Sequence, residues 1–343
     1  MTKEIIIAGG GIAGLSLGIA LRERGVETTL CDAGHYPRHR VCGEFISGVS
    51  DETLEILGVK SLLVDAERNK TTTWCGPSGN ILQRTLPKPA LGISRFRLDE
   101  RMAQRFVELG GTLNEGERVP AEVTKSEGVI LATGRPATKG SQWLGLKTHL
   151  LDFELQTDLE MHLGDGGYLG MSRIEDRKVN ACGLFKIRPE LKASKGTTMH
   201  EYLSAIGLKS LAERIHSAEK DPTSQLGVSA FILGEQKHES KSLVRLGDQE
   251  AIIAPLSGNG MSMAFESSAQ AIPLIEAYLD SKLRWEEVGD LLNRQLSRRF
   301  RRRIRVANFL NPMLTSRRMQ RGITKLNQFS LLPFKSLYES TRS

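Results

Sequence analysis

Apolar and polar positions along this chain follow two different periods, and the switches between them mark its elements. Ile5 to Ala8 is a short unbroken apolar run, as in a strand buried on both faces. Beyond Gly9, the apolar residues Leu15, Ile19 and Leu21 recur at helical spacing and stop at Gly25. "VETTLCDAG" then predicts a second strand ending at Asp32. "DETLEILGV" predicts a short helix, "KTTTWCGPSGNILQRTL" a hairpin turning at Gly76–Gly79, "FRLDERMAQRFVELGG" an amphipathic helix and "EGVILATG" a strand stopped by glycine. From 149 to 188 the helical period disappears. "FELQTDLEMHL", "GGYLGMSRIED" and "RKVNACGLFKI" there predict consecutive antiparallel strands. A helical patch runs from Thr198 to Ala218, and "VRLGD" is one more strand. The class is α/β, a nucleotide-type fold interrupted by β-sheet and resumed at Leu243.

Two glycine clusters add chemistry. Gly9, Gly11 and Gly14 stand in G-x-G-x-x-G spacing between a strand and a helix-period segment. The first glycine permits a tight turn, the second admits a pyrophosphate, and the third lets helix and strand pack closely. Asp32 follows at the distance from which an acid meets a ribose hydroxyl. The second cluster, "LGDQEAIIAPLSGNGMSMAFESS" from Leu246 to Ser268, puts glycines at another helix start, where free N–H groups favour an anion.

Composition narrows the setting. The 343 residues contain no apolar run long enough to span a bilayer. "MTKE" leads straight into a strand, so no signal peptide is expected. Cys31, Cys42, Cys75 and Cys182 form no C-x-x-C pair, which argues against a zinc site or a disulfide framework and for a reduced, cytoplasmic protein. The net charge of +7 hides an asymmetry: residues 291–343 hold 13 Lys plus Arg and one acid, a balance of +12, which leaves −5 on the rest.

The motifs together resemble the flavin-dependent family typified by the aromatic hydroxylases, whose fold geranylgeranyl reductases and flavin halogenases share. They are Gly9–Gly14 with Asp32, "SRFRLD", "VILATG" and "LVRLGDQEAIIAPLSGNGMSMA", in the family's order over about residues 1–290. The resemblance implies FAD. It implies that Gly247 and Asp248 contact the ribityl chain and that the Pro255–Gly260 helix start faces the flavin and its phosphates. The expected cofactor residues are Gly9, Gly11, Ile12, Ala13, Gly14, Asp32, Arg40, Arg95, Gly134, Gly247, Asp248, Pro255, Gly258, Asn259, Gly260 and Met261. The expected architecture is a discontinuous Rossmann-like FAD-binding domain (1–70, 94–148 and 240–290) with an inserted antiparallel β-sheet substrate domain (71–93 and 149–239). A basic helical tail (291–343) completes it.

The resemblance favours monooxygenation of a hydrophobic aromatic, polyketide or lipid-like substrate. Reduction or dehydrogenation of a lipid-like chain is the alternative, suggested by "PRHRVCGEFIS", and a non-catalytic electron carrier is a third reading. Trp74, Trp143 and Trp285 stand alone, which argues against halogenation. "ATGRPATKG" lacks the hydroxylases' Asp-Gly pair, which argues against fast direct use of NADPH or NADH and leaves a separate reductase or another donor as the source of electrons. Cys42 and Glu44 are the expected catalytic residues. Arg38 and Arg40 beside Cys42 favour a reactive thiol, and a carboxyl in an apolar pocket serves as a proton donor. The alternative is that Cys42 packs as a small apolar group and Arg40 binds the flavin phosphate. His162 and Tyr168, on the inserted sheet, are expected to touch substrate.

For the tail, Leu292, Leu296, Phe300 and Ile304 predict a helix over 291–309 that Pro312 breaks, with a second basic stretch to Lys325. It is either a solvated face or a docking surface. In the second case the partner is an acidic carrier protein or an anionic membrane, with Phe300, Phe309, Leu310, Met313 and Leu314 as the apolar side. Nucleic acid is not expected: no recognition motif is present and the body is acidic.

Overall fold

The apolar run at the amino end becomes the middle strand of a parallel sheet, because only a position flanked by strands and covered by helices buries both of its faces. The computed structural model describes residues 3–135, 142–191, 194, 196–229, 234–235, 243–253 and 258–342. From the amino end the chain forms β1 (Ile5–Ala8), α1 (Ile12–Glu23), β2 (Thr28–Asp32), β3 (Phe45–Ile46), α2 (Asp51–Ile56), β4 (Glu67–Gly76), β5 (Gly79–Gly92) and α3 (Arg95–Glu108). It continues through β6 (Thr112–Glu115), β7 (Val129–Leu131), β8 (Trp143–Leu151), β9 (Leu159–Gly164), β10 (Gly167–Arg173), β11 (Lys178–Lys186), α4 (Thr198–Ala205) and α5 (Lys209–Ser217). The short strands β12 (Leu226–Val228), β13 (Gly234–Glu235), β14 (Val244–Arg245) and β15 (Ala251–Ile252) lead to α6 (Gly260–Leu279), α7 (Trp285–Leu314), α8 (Arg317–Gln328) and α9 (Phe334–Ser340).

Strands β14, β7, β1, β2 and β6 make a five-stranded parallel sheet in that order, the Rossmann-like half of the molecule. Its core joins Ile5, Ile7, Leu15, Phe106, Phe265 and Ile275 with one face of α7. The second sheet has the order β12-β8-β11-β10-β9-β4-β5-β3. It is antiparallel except at β4 and β9, which run parallel. These two strands come from separate excursions out of the nucleotide half, so no hairpin dictates their direction. The second sheet takes up β4 from Glu67 and β8 from Trp143, a few residues before 71 and 149.

Alternation gives the second sheet two different faces. Leu169, Met171, Phe185 and Leu146 pack under α4 and α5. Tyr168, Gly170, Ser172, Cys182 and Leu184 face the other way, toward the nucleotide half. Pro312 does not break the tail helix; α7 runs on to Leu314. The proline sits in the last turn, where it removes one N–H bond, and burial of Leu314 holds that turn in place. Nor is α7 a solvated helix: Leu292, Leu296, Phe300 and Ile304 are buried, and Glu266 of α6 accepts from Arg299 Nε at 2.5 Å and Arg303 Nη1 at 2.9 Å. Helices α8 and α9 then cross to the second sheet. There Gln320 donates to Gly164 O (3.0 Å), Asn327 to Ile81 O (2.8 Å), and Phe334 meets Trp74 edge-on.

Candidate active site

The first glycine cluster divides into two kinds of position. Gly9, at φ +112°, and Gly14 are required by the fold, since a Cβ on them would come within 2.3 Å of Ala132 O and 1.9 Å of Gly9 O. Gly11 faces open space, where a Cβ would meet only Arg95 Nη2, at 3.9 Å. Gly11 is also the N-cap of α1, whose first N–H groups no side chain caps, so they point free toward that space. Arg95 is held there by Asp99, fully buried, whose oxygens accept Arg95 Nε and Nη2 at 2.6 and 2.7 Å and Arg40 Nε at 3.1 Å. Asp32 accepts from Gly10 N, Gly34 N and Arg38. Burial would raise its carboxyl, but those hydrogen bonds outweigh burial and hold it below the usual carboxylate range.

The second helix start lies alongside the first, because Ser268 of α6 donates to Ala13 O at 2.8 Å. Helix α6 begins uncapped at Gly260 after Asn259, and a Cβ on Gly260 would meet nothing within 4 Å. Met261 is buried behind it, and Gly258 abuts Phe45. Gly247 is anchored by its N–H to Ser267 Oγ (3.1 Å), and Asp248 lies 3.6 Å from Arg135 Nε, just after Gly134. Pro255 lies outside the described residues. Two uncapped helix starts, two open glycines and Arg95 converge on one edge of the parallel sheet. That arrangement suits the diphosphate and ribityl chain of FAD, and the bound flavin would supply the redox chemistry.

Glu44 is not a proton donor in an apolar pocket. It is fully buried, and its Oε1 accepts from Lys147 Nζ (2.8 Å) and Arg95 N (2.9 Å) while Oε2 meets His149 Nε2 (2.6 Å). Burial alone would raise this carboxyl, but the His149 bond and the Lys147 charge prevail and lower it. Such a carboxylate holds its proton poorly, so its work is positional. It keeps its own residue at φ +52° and pins the loop from Arg38 to Phe45 between the sheets. Lys147 also lies 3.3 Å from His39 Nδ1, and His39 stacks on Phe96 and approaches Asp221 at 3.6 Å. Burial, then Lys147, push His39 down to about 4. Atoms of His39, His149 and Asp221 come within 4.8 Å of one another, but the Lys147 ammonium beside them disfavours a metal cation.

Between that loop and the tail lies an apolar cavity of about 350 Å³. Val41, Cys42 and Gly43 form its loop wall, Trp74, Met161, Tyr168 and Leu184 its sheet wall, and Leu310, Met313, Ile323 and Phe334 its tail wall. Gly170 and Cys182 keep the sheet wall low opposite the loop. Cys42 is therefore on the cavity, with its Sγ accepting from Glu44 N at 3.5 Å. Tyr168 is 3% exposed, and its hydroxyl meets no partner among the described residues. His162 lies on the opposite face, bonded to Glu160 at 2.7 Å beneath α4 and α5, so it does not reach the cavity. Alternation on β9 decides this, since Leu159 and Met161 take the cavity side.

Lys147, His149, His39 and the end of the chain were not among the expected site residues. The one signal was a Lys and a His alternating with apolar residues in "LGLKTHLL". The chain's end closes the cavity: Arg342 lines it, stacks on Tyr338 and donates from Nε to Ser47 Oγ at 2.6 Å.

Residues 2–138 match the family model of the FAD binding domain. No curated protein matches the chain in sequence. Among solved structures, PqsL of Pseudomonas aeruginosa in complex with 2-aminobenzoylacetate superposes with a TM-score of 0.73 at 13% identity, over 94% of this chain and 100% of that one. A geranylgeranyl bacteriochlorophyll reductase-like protein of Thermoplasma acidophilum gives 0.75 at 15% identity, over 98% and 95%. A variant of HpxO of Klebsiella pneumoniae complexed with FAD gives 0.67 at 15% identity, over 98% of both. The motif-based resemblance to this flavoprotein superfamily therefore holds for the amino-terminal domain and for the fold of the whole chain.

Proposed function

We propose that this flavoprotein is an FAD-dependent monooxygenase whose substrate is a hydrophobic aromatic, polyketide or lipid-like molecule. The observation that carries the reading is the apolar cavity behind the Val41–Phe45 loop, enclosed by sheet and tail and reaching Arg135 and Gly258 beside the edge suited to FAD. Its volume falls in the range of small-molecule sites. The 2-aminobenzoylacetate held by PqsL, an aromatic ligand, is in keeping with such a chamber. The chain's own residues bind and orient. Arg95 and the two helix starts hold the cofactor's phosphates, the Glu44 cluster fixes the loop, Tyr168 offers a hydroxyl to the substrate, and α7–α9 exclude water. An electron carrier would expose its flavin edge, and this enclosure argues against one.

Reduction of a lipid-like chain is the second reading, favoured by Cys42, a thiol in the cavity wall. The FAD-loaded protein, reduced anaerobically and then given isotopically labelled oxygen with aromatic or lipid-like extracts, separates the readings. Monooxygenation places one labelled atom in the product and the other in water. Anaerobic reoxidation of the flavin by an unsaturated lipid supports reduction instead. Peroxide alone in every arm defeats both. NADPH without a reductase is expected to bleach the flavin slowly.

A further inference from the structure

The mouth of the cavity is apolar and bordered by cations. Phe309 and Leu326 both line the cavity, yet they are 67% and 45% exposed, so they stand where it opens to solvent. Phe329 and Leu331 are exposed in the turn that leads to Leu332 and Pro333, which line the cavity in turn. Met319 is exposed two turns before Leu326, on the same shoulder of α8. Of the nine large hydrophobic side chains exposed among the described residues, these are five. Lone exposed apolar residues need no explanation, but a cluster at a cavity mouth does.

The next strip of α8 carries the exposed Arg318, Arg321 and Lys325, and α7 adds Arg301, Arg302 and Arg305. Arg303 is not part of this surface, being buried against Glu266. The only acid in the whole tail is Glu339. An apolar stripe flanked by cations is the arrangement of a helix that lies in a membrane interface.

We propose that the end of α7, helix α8 and the turn into α9 dock on an anionic lipid bilayer, and that the substrate enters the cavity from that bilayer. The entry step rests on reading the cavity as the substrate chamber; the docking does not. Charge selects the surface, since the +12 tail is attracted where the −5 body is repelled. The apolar residues select a bilayer over an acidic protein. A protein partner would need a recess matched to Phe329 and Leu331, whereas an interface accepts them at any position.

The test is sedimentation of the full-length FAD-loaded protein with vesicles of phosphatidylcholine, with and without about one-third phosphatidylglycerol. Binding is expected to the anionic vesicles only, falling about tenfold or more when salt shortens the screening length. Arg318/Arg321/Lys325→Gln is expected to weaken partitioning about 100-fold, and Phe329→Ser/Leu331→Ser about tenfold. Both variants replace exposed side chains and should keep wild-type flavin absorbance and melting temperature. Equal binding to neutral vesicles, no binding at all, indifference to both variants, or capture by an acidic carrier protein with none by vesicles would each overturn the proposal. No arm depends on turnover. Turnover of detergent-dispersed substrate without vesicle binding would sink the docking alone, and vesicle binding by an inactive protein would sink only the monooxygenase reading.

Discussion

Asn259, the N-cap residue of α6, donates its side-chain amide to the carbonyl of Thr341, 82 residues further along. The helix start suited to the flavin is thereby tied to the last turn of the tail, and Arg342 adds a bond to Ser47 on the other side. The state of the tail and the state of the cofactor site are mechanically linked.

Removing residues 329–343 should therefore expose the flavin without unfolding the protein, because α7 keeps its packing on the nucleotide half. Circular dichroism is expected to stay near wild type while iodide quenches flavin fluorescence several-fold more. Unchanged quenching would mean that the tail does not seal the site. Asn259→Ala alone removes one hydrogen bond from a buried carbonyl, a loss of about 1–3 kcal/mol.

Gly11→Val and Gly14→Val should fail in different ways. The first places its side chain in open space, so the protein is expected to fold and purify colourless. The second meets the Gly9 carbonyl oxygen and should not yield soluble protein. Yellow Gly11→Val protein would remove the assignment of that space to the diphosphate.

Asp99→Ala should be the more damaging of two aspartate changes for stability, and Asp248→Ala for FAD affinity. Asp99 is the buried counter-ion of Arg95, so its loss strands that guanidinium at a cost of about 3–5 kcal/mol, whereas Arg40 keeps Asp32 at 3.6 Å. Asp248 pairs only loosely with Arg135 and stands near the edge suited to the cofactor. Chemical denaturation and flavin titration of the two variants give the ranking directly.

Acid should destabilise the protein before ordinary carboxylates titrate. His39 is pushed down to about 4 from 6.5, so the unfolded chain takes up a proton first as pH falls through that window. Stability is then fully present above about pH 6.5 and declines toward pH 4, by about 2 kcal/mol once residual solvent contact is allowed for. Glu44 acts in the same sense at lower pH, since its lowered carboxyl contributes above its ordinary 4.5 and is lost below. Urea titrations across this range should show the slope, and His39→Gln should flatten its upper part.

Tyr168→Phe should separate folding from substrate recognition. Its hydroxyl is buried without a partner among the described residues, so removing it is expected to leave the melting temperature unchanged or to raise it slightly. If that hydroxyl meets the substrate, the Michaelis constant should rise about tenfold. A fall in melting temperature would indicate a structural role instead.

The nucleotide half was legible in the sequence because its signals are local: three spaced glycines, an acid at the next strand end, and helical and strand periods that keep to their elements. The ion cluster was not. Glu44 and His39, on the loop before β3, meet Lys147 and His149 of β8 and Asp221 because that loop packs across the sheet, and nothing near Glu44 foretells a lysine about a hundred residues away. His162 was misplaced by one position of alternation, which sends a side chain to the other face of a sheet. The tail's arginines suggested a surface helix, while its apolar stripe of Leu292, Leu296, Phe300 and Ile304 was already the mark of a buried face. Which surface buried it could not be read from spacing.

The edge strand β14 has a consequence for synthesis. It pairs with β7 only after β8 to β12, five of the eight strands of the second sheet, have been made between them. A ribosome making 5–20 residues per second needs on the order of ten seconds to cover the roughly 110 residues from Leu131 to Val244. Throughout that interval the nascent chain carries β7 as an unpaired edge flanked by apolar surface. The polypeptide is thus most prone to aggregate while it is still incomplete, and slowing translation or withholding chaperones should reduce its soluble yield more than heating the finished protein suggests.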